Sequence, residues 1–295
     1  MLIVYQAYKV SNRFLIFSRE YFCESLREWI IPLLTAVSLL TRLPVAHWLP
    51  AKLPNKLLGR SVLWYPVVGL LLAGPLLLLL MLFTSTVSPF VVAVTVVIVW
   101  VALTGGLHLD GLADCVDALY AGHSVVGQQS SGPPKLVSLK QLKILQVLKD
   151  PCVGAMGAVA LMLLLMLKVS VVASLSTKLV LGLLLAMVLS RSCALLFIVM
   201  TPYTPHASTA GVGAILAVHA PKSVALVVIL LVALITFFVL PSFIALILLA
   251  SQFILCFVFR FFWVKRLDGF VGDAVGALIE LSEVSVLFVF YLLVV

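Results

Sequence analysis

The chain has 295 residues, 64% of them hydrophobic and only 10% charged, with a formal net charge of +8. A soluble domain carries roughly a quarter charged residues, so this composition excludes a water-soluble globule and indicates an integral membrane protein. Apolar runs of about 20 residues exclude a transmembrane β-barrel, and positive charge spread over short loops is topogenic rather than nucleic-acid binding.

The first thirty residues mix Lys9, Arg13, Arg19 and Arg27 with Glu20, Glu24 and Glu28, and offer Phe14, Phe17, Tyr21, Phe22, Leu26 and Trp29 as an apolar side. That pattern predicts an amphipathic interfacial helix over 1–30, with no cleavable signal peptide. The run "IIPLLTAVSLL" at 30–40 is too short to cross and reads as re-entrant or interfacial. Spans are expected at 62–84, 88–107, 152–174, 177–200, 223–240, 242–264 and 274–295. The segment 108–151 is the sizeable polar connection, with a Gly/Ser/Pro turn at 127–135 followed by helical spacing in "LKQLKILQVLKD". The small-residue stretch 206–220 is undecided, and Pro241 separates two spans that would otherwise fuse. The expected fold is all-α: a polytopic helical bundle of about seven transmembrane helices forming one catalytic domain over 31–295.

Lys and Arg in short loops set the orientation. Arg42, Lys52, Lys56 and Arg60, then Lys135, Lys140, Lys143 and Lys149, then Arg260, Lys265 and Arg266 form three basic loops. Seven spans with a cytoplasmic N-terminus put all three on one side. The expected location is the cytoplasmic (inner) membrane, in contact with the lipid bilayer, with the site facing the cytoplasm. The five cysteines have neither zinc-site nor redox spacing.

The chain has only eleven acids, and by this topology Asp110, Asp114, Asp117, Asp150, Asp268 and Asp273 gather at the cytoplasmic ends of spans. Glu280 and Glu283 lie deeper in the last one. Carboxylates at membrane depth cost roughly 2.5–3.5 kcal/mol each, which makes them functional candidates. Asp110, Asp114 and Asp117 fall at i, i+4 and i+7 on one helix stripe. Three like charges there repel unless a cation sits among them, and hard oxygen ligands favour magnesium shared with substrate phosphates. Gly111 would permit close approach of either a phosphate or a neighbouring helix.

A second cluster is "LDGFVGDAVGALIELSE" over 267–283. Asp273 and Glu280 share a face, Gly276 and Ala277 offer a close-packing surface, and Gly269 and Gly272 suggest a tight start to the span. Arg191 lies well inside its span, where it needs a carboxylate or a substrate phosphate. Lys149 and Asp150 open another span at the same level, with Gly154 and Gly157 beyond. His108 reads equally as a base, a support to another site residue or a polar helix end. Two metals clamping a displacement at phosphorus sit roughly 3.5–4 Å apart and need carboxylates from more than one helix. Asp273 is therefore expected within about 10 Å of the stripe, given magnesium–oxygen bonds of ~2.0–2.1 Å. The residues alone describe a cytoplasm-facing membrane enzyme with a magnesium–carboxylate site acting on phosphate or diphosphate.

The stretch "GGLHLDGLADCVDAL" at 105–119 closely resembles the signature of the cobalamin synthase (adenosylcobinamide-GDP ribazoletransferase) family. "LLTRLPV" (39–45), "WYPVVGLLLAG" (64–74), "LKDPCVGAMGAVAL" (148–161), the Ser190–Arg191 pair and "VGDAVGALIELSE" (271–283) agree in order. The resemblance runs from about residue 33 to the C-terminus. It implies a transferase of cobalamin biosynthesis that joins α-ribazole, or its 5′-phosphate, to adenosylcobinamide-GDP and releases GMP, with Mg2+. It implies catalytic roles for Asp110, Asp114, Asp117 and His108, and metal binding by Asp110, Asp114, Asp117 and Asp273. Substrate contacts would fall to Asp150, Lys149, Arg191, Gly111, Gly272 and Glu280. No nucleic acid is implied, and a homo-oligomer is compatible.

Three features depart from the family pattern. The first thirty residues are an extension, and 121–140 is longer than usual. Where the family tends to show Gly-Gly-x-Thr-Gly-Asp, this chain reads Asp268-Gly269-Phe270-Val271-Gly272-Asp273, so Asp268 and Val271 inherit no role. A CDP-alcohol phosphotransferase would share an Asp-Gly run followed by further aspartates but expects Arg where Asp114 stands, and an aromatic prenyltransferase expects an Asn-Asp-x-x-x-Asp pair. A transporter would bind near the midplane within internal repeats, whereas these acids gather at one surface.

Overall fold

The computed structural model describes residues 27–83, 87–123, 138–174, 178–205 and 211–294. Most of the interfacial extension and the 127–135 turn lie outside these residues. In chain order the helices are α1 (27–40), α2 (Asn55–Arg60), α3 (Tyr65–Phe83), α4 (Pro89–Thr104), α5 (Leu107–His123), α6 (Leu139–Val147), α7 (Ala155–Ser174), α8 (Leu179–Met200), α9 (Val212–His219), α10 (Lys222–Val239), α11 (Ser242–Leu267) and α12 (Gly272–Val294). The described residues are all-α, apart from an isolated parallel bridge between Tyr203 and Phe270. Among the described residues, six helices are long and apolar enough to cross a membrane, and a seventh span is added if α4 and α5 count as one bent span.

The bend corrects the expectation of a plain span over 88–107. Ser88 and Pro89 start α4 in the ordinary way, the Ser88 hydroxyl accepting from the Val91 N–H. Gly105 and Gly106 then adopt left-handed φ values of 64° and 69°, a conformation that a side chain at either position would oppose. The chain turns by 87° and resumes as α5. The first half of the polar connection is this helix, which carries the aspartate stripe and packs into the bundle.

The most apolar stretch of α8 is 78% buried, against 11% for α10 and 22% for α11. α8 is therefore the central post, packed by α3 and α12, while α10 and α11 present Leu, Val and Phe side chains outward to lipid. α5 lies against α12 and α7. The basic segments meet at one end of the bundle. There the Arg42 N–H donates to the Leu103 carbonyl (2.9 Å), Gln141 Nε2 donates to the Asp268 carboxylate (2.9 Å), and the Phe270 N–H donates to the Pro202 carbonyl (2.9 Å). Of the two short apolar segments, the described part of α1 leads into the Arg42–Leu103 contact at this end, and α9 covers α2 with no room for a Cβ on Gly59 beside His219.

Candidate active site

The aspartate stripe is carried by α5, and α12 meets it head-on. Gly111 is buried, and a Cβ there would stand 2.7 Å from the Asp273 carbonyl oxygen and 3.2 Å from its Cα. Of the two partners the sequence allowed, a phosphate or a helix, the structure selects the helix. Gly111 is in contact with α12 and is not open to substrate. One helical turn away α12 lies on the backbone of His108, where a Cβ on Gly276 would stand 3.2 Å from the His108 Cα. Helix α12 reaches α5 because glycine stands at both crossing points.

This crossing gathers five carboxylates. Those of Asp110, Asp273, Asp117 and Asp150 all lie close enough to Asp114 to repel its charge, in that order of strength. Asp110 is exposed, and Asp114 and Asp273 are half-buried. Among the described residues, none of these three carboxylates forms an ion pair. The Tyr203 hydroxyl stands nearby, its pKa raised by burial and then by the Asp273 charge.

Asp117 is engaged differently. Its two carboxylate oxygens accept the Gly154 N–H (2.7 Å) and the Gly157 N–H (2.8 Å). It thus clamps the first turn of α7, whose unpaired N–H groups and positive dipole end suit a carboxylate. A Cβ on Gly154 or Gly157 would fall 2.5 or 2.3 Å from that carboxylate, which accounts for both glycines. Asp150 is exposed and accepts from the Cys152 N–H (3.0 Å), and Lys149 is exposed beside it.

Arg191 and Glu280, expected to contact substrate, lie elsewhere. Both are within a buried ion cluster among the spans: Lys168 Nζ contacts Glu280 (2.8 Å) and Glu283 (2.7 Å), and Arg191 contacts Glu283. None of the four side chains is more than 2% exposed, so neither Arg191 nor Glu280 meets solvent or an open cavity. Two cations and two carboxylates neutralise one another, which removes most of the cost of charge at this depth. The Trp100 ring lies 4.2 Å from Lys168 Nζ and adds a cation–π contact. Lys168 and Trp100 are absent from the sequence reading, although a lone lysine in "LMLLLMLKVSVVAS" is the same signal that marked the acids.

His108 sits between the two groups of charges. It is 4% exposed, and among the described residues neither ring nitrogen has a hydrogen-bond partner. It lines a cavity of about 220 Å³ whose walls include Asp273, Gly272 and Gly276. Gly272, exposed and with open space where a Cβ would stand, marks its mouth.

The donor set suits a hard divalent cation. Asp110, Asp114 and Asp273 are carboxylates with free lone pairs, mutually repelling and uncompensated by any basic side chain in ion-pair contact among the described residues. No three such groups among the described residues already stand at ligating distance.

Comparison with known proteins bears on this site. The family described as cobalamin-5-phosphate synthase matches residues 32–291. A protein of Stutzerimonas stutzeri named adenosylcobinamide-GDP ribazoletransferase is 38% identical over 261 residues, covering 88% of this chain and 96% of its own. Proteins of the same name from Pseudomonas aeruginosa (37% over 264 residues, 89% and 98% covered) and Acinetobacter baumannii strain ATCC 17978 (32% over 261 residues, 88% and 96% covered) are similar. No solved structure matches the chain.

Proposed function

The chain belongs to the cobalamin-5-phosphate synthase family, and on that premise we propose that it is an adenosylcobinamide-GDP ribazoletransferase. A ribose hydroxyl of α-ribazole, or of its 5′-phosphate, attacks the phosphorus that remains with cobinamide. The new phosphorus–oxygen bond forms as the bond to the GMP oxygen breaks. GMP leaves, and the hydroxyl proton passes to the carboxylate cluster. The product is adenosylcobalamin or its 5′-phosphate.

The observation that carries this reading is the meeting of α5 and α12 at Gly111 and Asp273. It brings uncompensated carboxylates from helices far apart in sequence to one face, as a displacement on a diphosphate requires. Asp110, Asp114 and Asp273 would hold magnesium, which when bound supplies positive charge against the diphosphate and the charge developing on it. Asp117, its oxygens engaged by α7, holds the stripe in register. Lys149 and Asp150 stand exposed at the same end, suited to meeting the polar parts of the substrate.

The positive-inside pattern supports the inner membrane with this end facing the cytoplasm. Arg42, Lys56, Arg60, Lys149, Lys265 and Arg266 belong to its short basic segments. The test is GMP release from adenosylcobinamide-GDP by purified protein. It should require both ribazole and Mg2+. Release of GMP without ribazole, or no release with all components present, would refute the proposal.

A further inference from the structure

The cavity beside Asp273 has a character that the reaction alone does not specify. Its volume of about 220 Å³ falls below the roughly 300–1,000 Å³ of pockets that enclose a drug-sized ligand. It can enclose one small ring system but not a corrinoid. Its walls are mainly apolar, from Leu40, Ile198, Leu216, Phe270, Val275 and Ile279. Polar groups enter it at Asp273, Tyr65 and His108. His108 is buried there with both nitrogens unpartnered among the described residues, and leaving a buried polar group unmet costs about 1–3 kcal/mol. A ligand in the cavity would meet it.

Helices α1 and α9 supply two of the walls. Gly213 of α9 packs so closely on the Tyr203 ring that a Cβ would stand 2.9 Å from it. Resting on the reaction proposed above, we infer that this cavity is the subsite for the bicyclic aromatic base of the ribazole, with its ribose directed to Asp273. Chemistry separates the two candidate bases. Guanine has polar groups on nearly every edge, and most would be left unpaired against these walls. A dimethylbenzimidazole offers an apolar rim and a single free ring-nitrogen acceptor, which the His108 N–H can meet. With the base seated, the attacking hydroxyl reaches the carboxylates and the nucleotide stays outside.

The test uses full-length protein in nanodiscs. Leu216→Phe and Val275→Phe, which narrow the cavity, should each weaken α-ribazole binding and raise its KM at least tenfold. The KM for adenosylcobinamide-GDP should stay within twofold. In Val212→Cys protein, altered only at the exposed rim, α-ribazole should slow alkylation at position 212 at least tenfold, and GMP should not. Undiminished ribazole binding in both folded narrowing variants, or protection by GMP in place of ribazole, overturns the assignment. Wild-type protein that binds ribazole in this cavity yet releases no GMP would overturn the reaction and leave the subsite standing.

Discussion

Gly111 of α5 rests directly on the backbone of Asp273, so close that a Cβ would meet the Asp273 carbonyl oxygen at 2.7 Å. Neither backbone can yield as the far end of a side chain would. Gly111→Ala must therefore push α5 off α12 and separate Asp110 and Asp114 from Asp273. Overpacking of this kind costs roughly 1–3 kcal/mol. We expect a modest fall in thermal stability together with a loss of turnover of at least tenfold. Gly272→Ala, at a position with open space for its Cβ, should retain turnover within a few-fold in the same assay.

Asp117 and its neighbours in the stripe should separate experimentally. Asp117→Ala removes two hydrogen bonds from the start of α7, and a lost helix cap costs about 0.5–2 kcal/mol. The expected result is a lowered unfolding temperature in detergent. Asp110→Asn and Asp114→Asn, which cap nothing, should leave that temperature unchanged or raised, because each removes a repelling charge. Both should abolish GMP release.

The buried ion cluster gives a stability prediction with a clear sign. Lys168→Met leaves Glu280 and Glu283 facing Arg191 alone, and breaking a buried pair costs roughly 3–5 kcal/mol. Lys168→Met combined with Glu280→Gln restores neutrality and should recover much of that loss. Thermal unfolding of both proteins checks this. A double variant no more stable than the single would show that the charges are not coupled.

The orientation is testable with a native residue. Among the described cysteines Cys152 is exposed, while Cys115, Cys193 and Cys256 are buried. In a Cys23→Ser background, an impermeant maleimide should label Cys152 only after the cytoplasmic face has been opened. Labelling in intact cells would put the carboxylates on the wrong side for cytosolic substrates.

How much of this was legible in the sequence differs by element. Long apolar runs announced α3, α7, α8, α10, α11 and α12, because a helix in lipid must be apolar along its whole length. The i, i+4, i+7 spacing of Asp110, Asp114 and Asp117 likewise revealed one helix face. The glycines were visible, but their partners were not: whether Gly111 meets a phosphate or a helix depends on the packing of α12, which starts 161 residues later at Gly272. Arg191 and Glu280 looked like site residues by depth alone. Depth cannot tell a charge paired within the bundle from one facing a cavity, and Lys168, which decides the matter, stands alone among leucines. The bend after α4 rested on two adjacent glycines, a signal that a hydropathy window averages away.

On the function proposed above, α5 and α12 hold one cation site between them. Binding of Mn2+, a paramagnetic stand-in for Mg2+, measures this directly by electron paramagnetic resonance on the full-length protein in nanodiscs. Asp110→Asn and Asp273→Asn should each weaken binding of the same ion at least tenfold, and Mg2+ should displace it from the wild type. Wild-type Mn2+ affinity in Asp273→Asn protein, with binding lost only in Asp110→Asn, would contradict the shared site.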